Sequence, residues 1–234
     1  MCLMARQESW YRRPEIYAYF DRLADQGFFD GFEQVLFYGA GAAAYAAAVF
    51  SVSAPGASVL LLYPQATLNP RVVPWETRFP AATRYSFTDR YGYAPDMVEA
   101  AGAVYVLFDP HEPLDEKHAQ LFDKSADLLL HMPYFGSHFE IDLQDMFLRD
   151  RLITKAASQT LTADIFTQLM RKRRQHRPYL QRLLKAQPSA RQTHIKSLRS
   201  RINALDAAQL VRKRRVSNQA KHAANLPNLR LVSS

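Results

Sequence analysis

Thiol chemistry is nearly missing from this 234-residue sequence, whose one cysteine is Cys2. A single thiol excludes a disulfide framework and a thiolate-bound metal cluster. Charge is also missing over a long stretch, since no Asp, Glu, Lys or Arg occurs from Val35 to Pro70. Such a run superficially resembles a membrane span. Gly39, Gly41, Ser51, Ser53, Pro55, Gly56 and Pro64 interrupt it, however, so a buried strand–helix–strand unit is the expectation. The opening MCLMARQESWYRR lacks the apolar core of a signal peptide, which makes the cytoplasm the expected location.

A further absence carries chemistry. Val35–Ser53 is predicted to run from a strand through a glycine turn into an alanine-rich helix. In a G-x-S-x-G nucleophile elbow the central serine hydroxyl stands at the carboxyl end of the strand. Here the five positions are Gly39, Ala40, Gly41, Ala42 and Ala43, with Gly41 in the serine's place. Glycine has no side chain to attack a carbonyl, so serine-hydrolase chemistry cannot start from this turn. The expected state is catalytically inert.

What is present is a large apolar content and an uneven charge. Hydrophobic residues make up 48% of the chain, enough for a sizeable core. Residues 1–150 hold 11 Lys and Arg against 20 Asp and Glu, whereas residues 151–234 hold 19 against 2. The net +8 therefore joins an acidic unit to a strongly basic one, with the change near Asp150–Ser158.

In the acidic unit, helical spacing over Pro14–Gly27 precedes strands predicted at Val35–Tyr38, Ser58–Tyr63, Ala103–Phe108 and Asp127–Met132, with Arg84–Phe87 as a further weak strand. Helices are predicted at Ala42–Phe50, Ala94–Ala101, Leu114–Lys124 and His138–Leu152. Alternation of this kind gives an α/β fold with a mostly parallel sheet. In the basic unit, Leu161 to Leu184 is predicted as one long helix kinked at Pro178. Ile195, Leu198, Ile202, Leu205 and Gln209 or Leu210 make a near-heptad seam. The two helices form a basic hairpin bearing Arg171–Arg174 and Arg212–Arg215. The predicted division is 1–152, 153–219 and a flexible tail 220–234.

The run from Phe37 to about Ile153 resembles a family of α/β-hydrolase-like proteins found in bacterial polysaccharide and glycosyltransferase settings. Gly39–Ala47 (GAGAAAYAA) matches its elbow, and Pro64–Pro70 (PQATLNP) the end of the next strand. Tyr105–Ala119 matches its acid-bearing loop and Tyr134–Leu143 its histidine-bearing segment. The resemblance implies His138 as the histidine of a vestigial triad and Glu112 as its acid, with Asp109 and Asp115 competing. It implies a reduced hydrolase-like domain kept for binding or support in cell-envelope polysaccharide metabolism. Similar bacterial proteins are sometimes labelled phosphoadenosine phosphosulfate reductase, but the catalytic cysteine and phosphate loop of that enzyme are missing here.

Gly39-x-Gly41-x-x-Ala44 also fits a dinucleotide fingerprint, with phosphate or sulfate at the helix N-terminus. The carboxylate wanted at the end of the next strand is replaced by Tyr63, Pro64 and Gln65. No cofactor and no metal are expected. His131 and His138 stand seven apart, and Asp89–Tyr93 is an aromatic, charged loop that either lines the cleft or packs a turn. The basic helices are expected to dock within the chain or to self-associate, with nucleic acid as the competing partner.

Overall fold

The structure, a computed structural model, describes residues 9–186 and 192–224. Helix α1 (Pro14–Asp25) opens on a proline, whose missing N–H costs nothing in a first turn, and buries Tyr17, Phe20 and Leu23. Strand β1 (Leu36–Ala40) turns at Gly41 into α2 (Ala42–Phe50), which is buried from Ala44 onward. After β2 (Ser58–Leu62) and the single turn α3 (Ala94–Met97) come β3 (Ala103–Phe108), α4 (Pro113–Gln120) and β4 (Leu128–His131). Three further helices follow, α5 (Glu140–Asp145), α6 (Arg149–Ala157) and α7 (Ala163–Met170).

The four strands pair in the order β1-β2-β3-β4, all parallel. Every crossover steps the same way, and right-handed crossovers of that kind stack their helices on one face. Accordingly Val59, Leu61, Val104, Val106 and Phe108 share a core with α1, with α2 and with Ala119 of α4. Leu60, Leu62, Tyr105 and Leu107 alternate to the other face and are buried as well. There α6 packs on β1 and β2. Both faces are covered, which is why β2 and β3 have no polar alternation. The α/β expectation with a parallel sheet holds.

Three local expectations fail for physical reasons. Arg84–Phe87 is not a strand, because Pro80–Arg84 is a 3-10 turn and Arg12 takes the Ser86 carbonyl at 2.8 Å. His138–Leu152 is not one helix. It breaks between α5 and α6 at Phe147, whose φ of 54° is left-handed. The long helix Leu161–Leu184 is interrupted by a 3-10 turn at Arg171–Gln175. A helix continuing through Pro178 would press its ring against the carbonyl four residues back.

The chain forms two compact units, 1–172 and 173–234. Helix α6 runs through the position where the charge balance changes. In the second unit α8 (Arg177–Ala186) and α9 (Gln192–Ala224) pack together as a hairpin. Leu180, Leu198 and Ile202 are buried, and Arg177 pairs with Asp206. Ile195 and Leu205 of the expected seam are half-buried, whereas Leu210 is exposed. Helix α9 continues into the segment expected as a tail, and residues beyond 224 lie outside the described ones. No helix among the described residues is long and apolar enough to cross a membrane.

Candidate functional site

The loops leaving β2, β3 and β4 meet at the carboxyl edge of the sheet, and the β2 loop lies against the turn after β1. Gly39 lets that turn close, since a Cβ there would stand 2.2 Å from the Ala43 carbonyl oxygen. Gly41 has φ 57° and ψ −123°, a region that glycine alone enters without strain. Its N–H donates to Leu62 of the neighbouring strand at 3.0 Å, and its carbonyl starts the α2 ladder. The N–H groups of Ala42 and Ala43, in the first turn of α2, have no partner within the helix.

The loop after β2 presses against this turn. Tyr63 is left-handed at φ 38°, and its ring lies 3.4 Å from where a Cβ on Gly41 would be. Burial, with the Glu140 and Asp115 carboxylates nearby, pushes the Tyr63 hydroxyl pKa up. Gln65 is 3% exposed and donates its amide to the Tyr63 carbonyl at 3.2 Å. The loop is anchored at Ala66, whose N–H donates to His118 Nδ1 at 3.2 Å, and at Thr67, whose hydroxyl donates to the Gly92 carbonyl at 2.6 Å.

An N–H arriving at Nδ1 leaves the proton of a neutral imidazole on Nε2. That atom lies 3.0 Å from Glu76 Oε2. Desolvation of the fully buried ring lowers the His118 pKa, outweighing the pull of Glu76. Hydrogen bonds from His118 and Arg78 hold Glu76 at about 2, against the opposing effect of its burial. Arg78 also reaches Asp115 at 2.6 Å, and Asp115 accepts the Ser137 hydroxyl at 3.1 Å.

Asp109 follows β3 and is 1% exposed. Its two oxygens accept the His111 N–H at 2.9 Å and the Gly136 N–H at 2.6 Å, tying the β3 end to the β4 loop. Glu112 precedes α4. Burial raises its pKa, helped by Asp109 and Asp115. His138 is left-handed at φ 66°, with its ring 5.5 Å from that of Tyr63. Among the described residues no hydrogen bond joins His138 to Asp109 or Glu112. The three candidate triad residues thus sit on the two loops after β3 and β4, and Tyr63 stands between His138 and Gly41.

Of the other candidates, Ala44 is wholly buried and makes only helix contacts through its N–H. His131 packs on Phe108 at 4.9 Å while His138 packs on Tyr63, so the two histidines have different partners. Asp89–Tyr93 packs a turn. Arg90 pairs with Asp21 of α1, Arg12 pairs with Asp89, and the Tyr91 carbonyl takes the Tyr45 hydroxyl. Sequence reasoning passed over Glu76, Arg78 and His118, and named Gln65 only as standing where a dinucleotide site wants a carboxylate. The only signal for Gln65 was its place directly after a strand beside a glycine turn.

Beside the free edge of β1 lies a cavity of about 540 Å³. Phe20, Phe29, Phe37 and Ala43 line it, and Glu140, which accepts the Tyr38 hydroxyl at 2.7 Å, stands at its rim. Gly41 and His138 do not border it. No protein-family model, no curated protein and no solved structure matches this chain.

Proposed function

We propose that this chain is a binding or support protein on a hydrolase-type α/β scaffold that has lost its nucleophile, with cell-envelope polysaccharide metabolism as its setting. The observation that carries the reading is Gly41, at a strand-to-helix turn whose φ of 57° and ψ of −123° would strain any other residue, and without a side chain. A serine held there would expose its hydroxyl at the sheet edge. Glycine keeps the turn and removes the chemistry. Acid and histidine follow β3 and β4 in the order such a scaffold uses, and this too supports the reading. The polysaccharide setting rests on the sequence resemblance alone.

Incubation of the purified chain with p-nitrophenyl acetate and butyrate tests it. The expected result is no turnover above the buffer rate. Hydrolysis by the wild type that disappears in H138A overturns the inert assignment.

The N–H groups of Ala42 and Ala43, which have no partner within the helix, favour a second reading, a phosphate or sulfate held at the α2 N-terminus. A dinucleotide is less well supported. Strand order 1-2-3-4 has no reversal, hence no crevice of the kind in which dinucleotides lie. Phosphosulfate reduction has no thiol to run it beyond Cys2. For the basic residues 151–234 we favour self-association over nucleic acid. Sedimentation at low and moderate salt, beside titration with a random DNA duplex, separates the two, and tight duplex binding with a steep salt slope rejects self-association.

A further inference from the structure

Strand β1 stands at one end of the sheet order, so one of its edges has no neighbouring strand. The ladder on its other side tells which groups face that free edge. The Val35 carbonyl accepts from Ser58 at 2.9 Å and the Gly41 N–H donates to Leu62 at 3.0 Å, so the odd-numbered residues address β2. Alternate residues of a parallel strand turn their main-chain groups to opposite sides. Leu36, Tyr38 and Ala40 therefore present N–H and C=O outward, and among the described residues none of these groups has a hydrogen-bond partner.

Exposed edges are commonly blunted by Lys, Pro, a bulge or a covering element. The β1 sequence LFYGA has neither Lys nor Pro, and it pairs with β2 without a break in register. It is largely half-buried, whereas β2 and β3 are buried throughout. Every residue of β1 lines the 540 Å³ cavity, which therefore runs along this edge. Phe20, Phe29 and Phe50 wall it, and the exposed Phe28 and Phe32 carry it to the surface. By register Phe37 lies on the α1–α2 face with Val59, and Tyr38 on the opposite face with Leu60. A strand laid along β1 would place alternate side chains among the phenylalanines and the rest beside Tyr38 and Glu140.

The charge around the cavity is of one sign. Glu140 stands at its rim, Asp30 and Glu33 are exposed next to Phe29 and Phe32, and no Lys or Arg lines it. Arg149, whose charge reaches the Tyr38 hydroxyl, is bonded to Asp150 and Gln144. We propose that the free edge of β1 binds an extended basic peptide segment of a partner protein as a fifth strand, with alternate apolar side chains in the cavity and Lys or Arg between them. The outward N–H and C=O groups call for a polypeptide, since a hydrocarbon or an aromatic ring offers them nothing. A second copy of β1 is disfavoured. The edge is recessed between the Phe28–Phe32 segment and Glu140, and two recessed edges meet at their walls before their strands can pair. The inference goes beyond the binding reading above, because Gly41 and His138 do not border this cavity. Ester hydrolysis by the chain would defeat that reading and leave this one standing.

Amide hydrogen exchange of the full chain, followed by NMR, tests it. In the free chain Leu36, Tyr38 and Ala40 should exchange at least about tenfold faster than Phe37, Gly39 and Gly41. Equal protection of the two sets overturns the proposal. If that protection grows with chain concentration, a second copy is the occupant, and if it does not, the chain covers its own edge. The end-blocked peptide KVKFKV should then slow exchange at Leu36, Tyr38 and Ala40. The same peptide with alternate D-residues, whose side chains in an extended chain all fall on one face, should not. EVEFEV should bind at least about tenfold more weakly at low salt. No protection by KVKFKV, equal protection by its D-alternating form, or equally tight binding of EVEFEV refutes the assignment.

Discussion

His118 donates its Nε2–H to Glu76 across 3.0 Å from a ring with no exposed surface. Both groups bind protons less readily in the fold than in the unfolded chain, His118 through burial and Glu76 through its donors. The unfolded chain therefore takes up protons first as the pH falls. Stability should decline below about 6.5, the ordinary histidine value. It should decline again as the pH falls from the ordinary Glu value of 4.5 toward about 2. Urea midpoints at pH 8, 6 and 4 should fall in that order, and H118Q should flatten the step between 8 and 6.

Glu76 answers Arg78 as well as His118, so E76Q leaves a half-buried guanidinium with Asp115 alone. Loss of one partner from a buried charge network costs roughly 3 kcal/mol. Urea unfolding at pH 7.5 should show that loss, and a change within error would mean the cluster is solvated.

G39A should be the most damaging of the glycine substitutions. Its Cβ would lie 2.2 Å from the Ala43 carbonyl oxygen and 2.6 Å from the Ala44 nitrogen, both backbone atoms that cannot step aside. We expect a loss of at least about 3 kcal/mol, or no folded protein. Gly31 has nothing within 4 Å of its Cβ position, so G31A should stay within about 0.5 kcal/mol of wild type. Circular dichroism melts of the pair check the contrast.

G41S should fold at a cost of about 1–3 kcal/mol, the strain of φ 57° and ψ −123° on a side-chain-bearing residue. It should not gain esterase activity. The His138 ring lies against Tyr63 with no carboxylate among the described residues bonded to it, so no acid there orients a base toward the new hydroxyl. Turnover of p-nitrophenyl acetate by G41S but not by G41S/H138A would show that the base reaches it after all.

Phe20 and Phe50 stack at 4.1 Å and 5°, joining α1 to α2 in the main core. F20A should cost about 3–5 kcal/mol, read as a lower urea midpoint with an unchanged slope.

Strand and helix positions were legible because each rests on local information. Val59–Leu62 and Val104–Phe108 are apolar runs of strand length, and Gly39 and Gly41 mark a turn that few other residues can make. The α/β class followed from their alternation. Breaks at Phe147 and before Pro178 were harder to see, because hydrophobic spacing continues across them and only backbone geometry ends the helix.

The site was legible by half. The sequence by itself determined that position 41 has no nucleophile, since that depends on one residue type. Only the tertiary structure decided which side chains face that position, Tyr63 and Gln65, and what holds their loop in place. Glu76 and His118 are far apart in the chain and carry no motif. They fix that loop because Ala66 donates its N–H to the His118 ring, 52 residues away on α4. Spacing along a sequence reports neighbours on one strand or helix. Contacts between the loops of a parallel sheet depend on strand order, and no pattern within a single segment encodes that order.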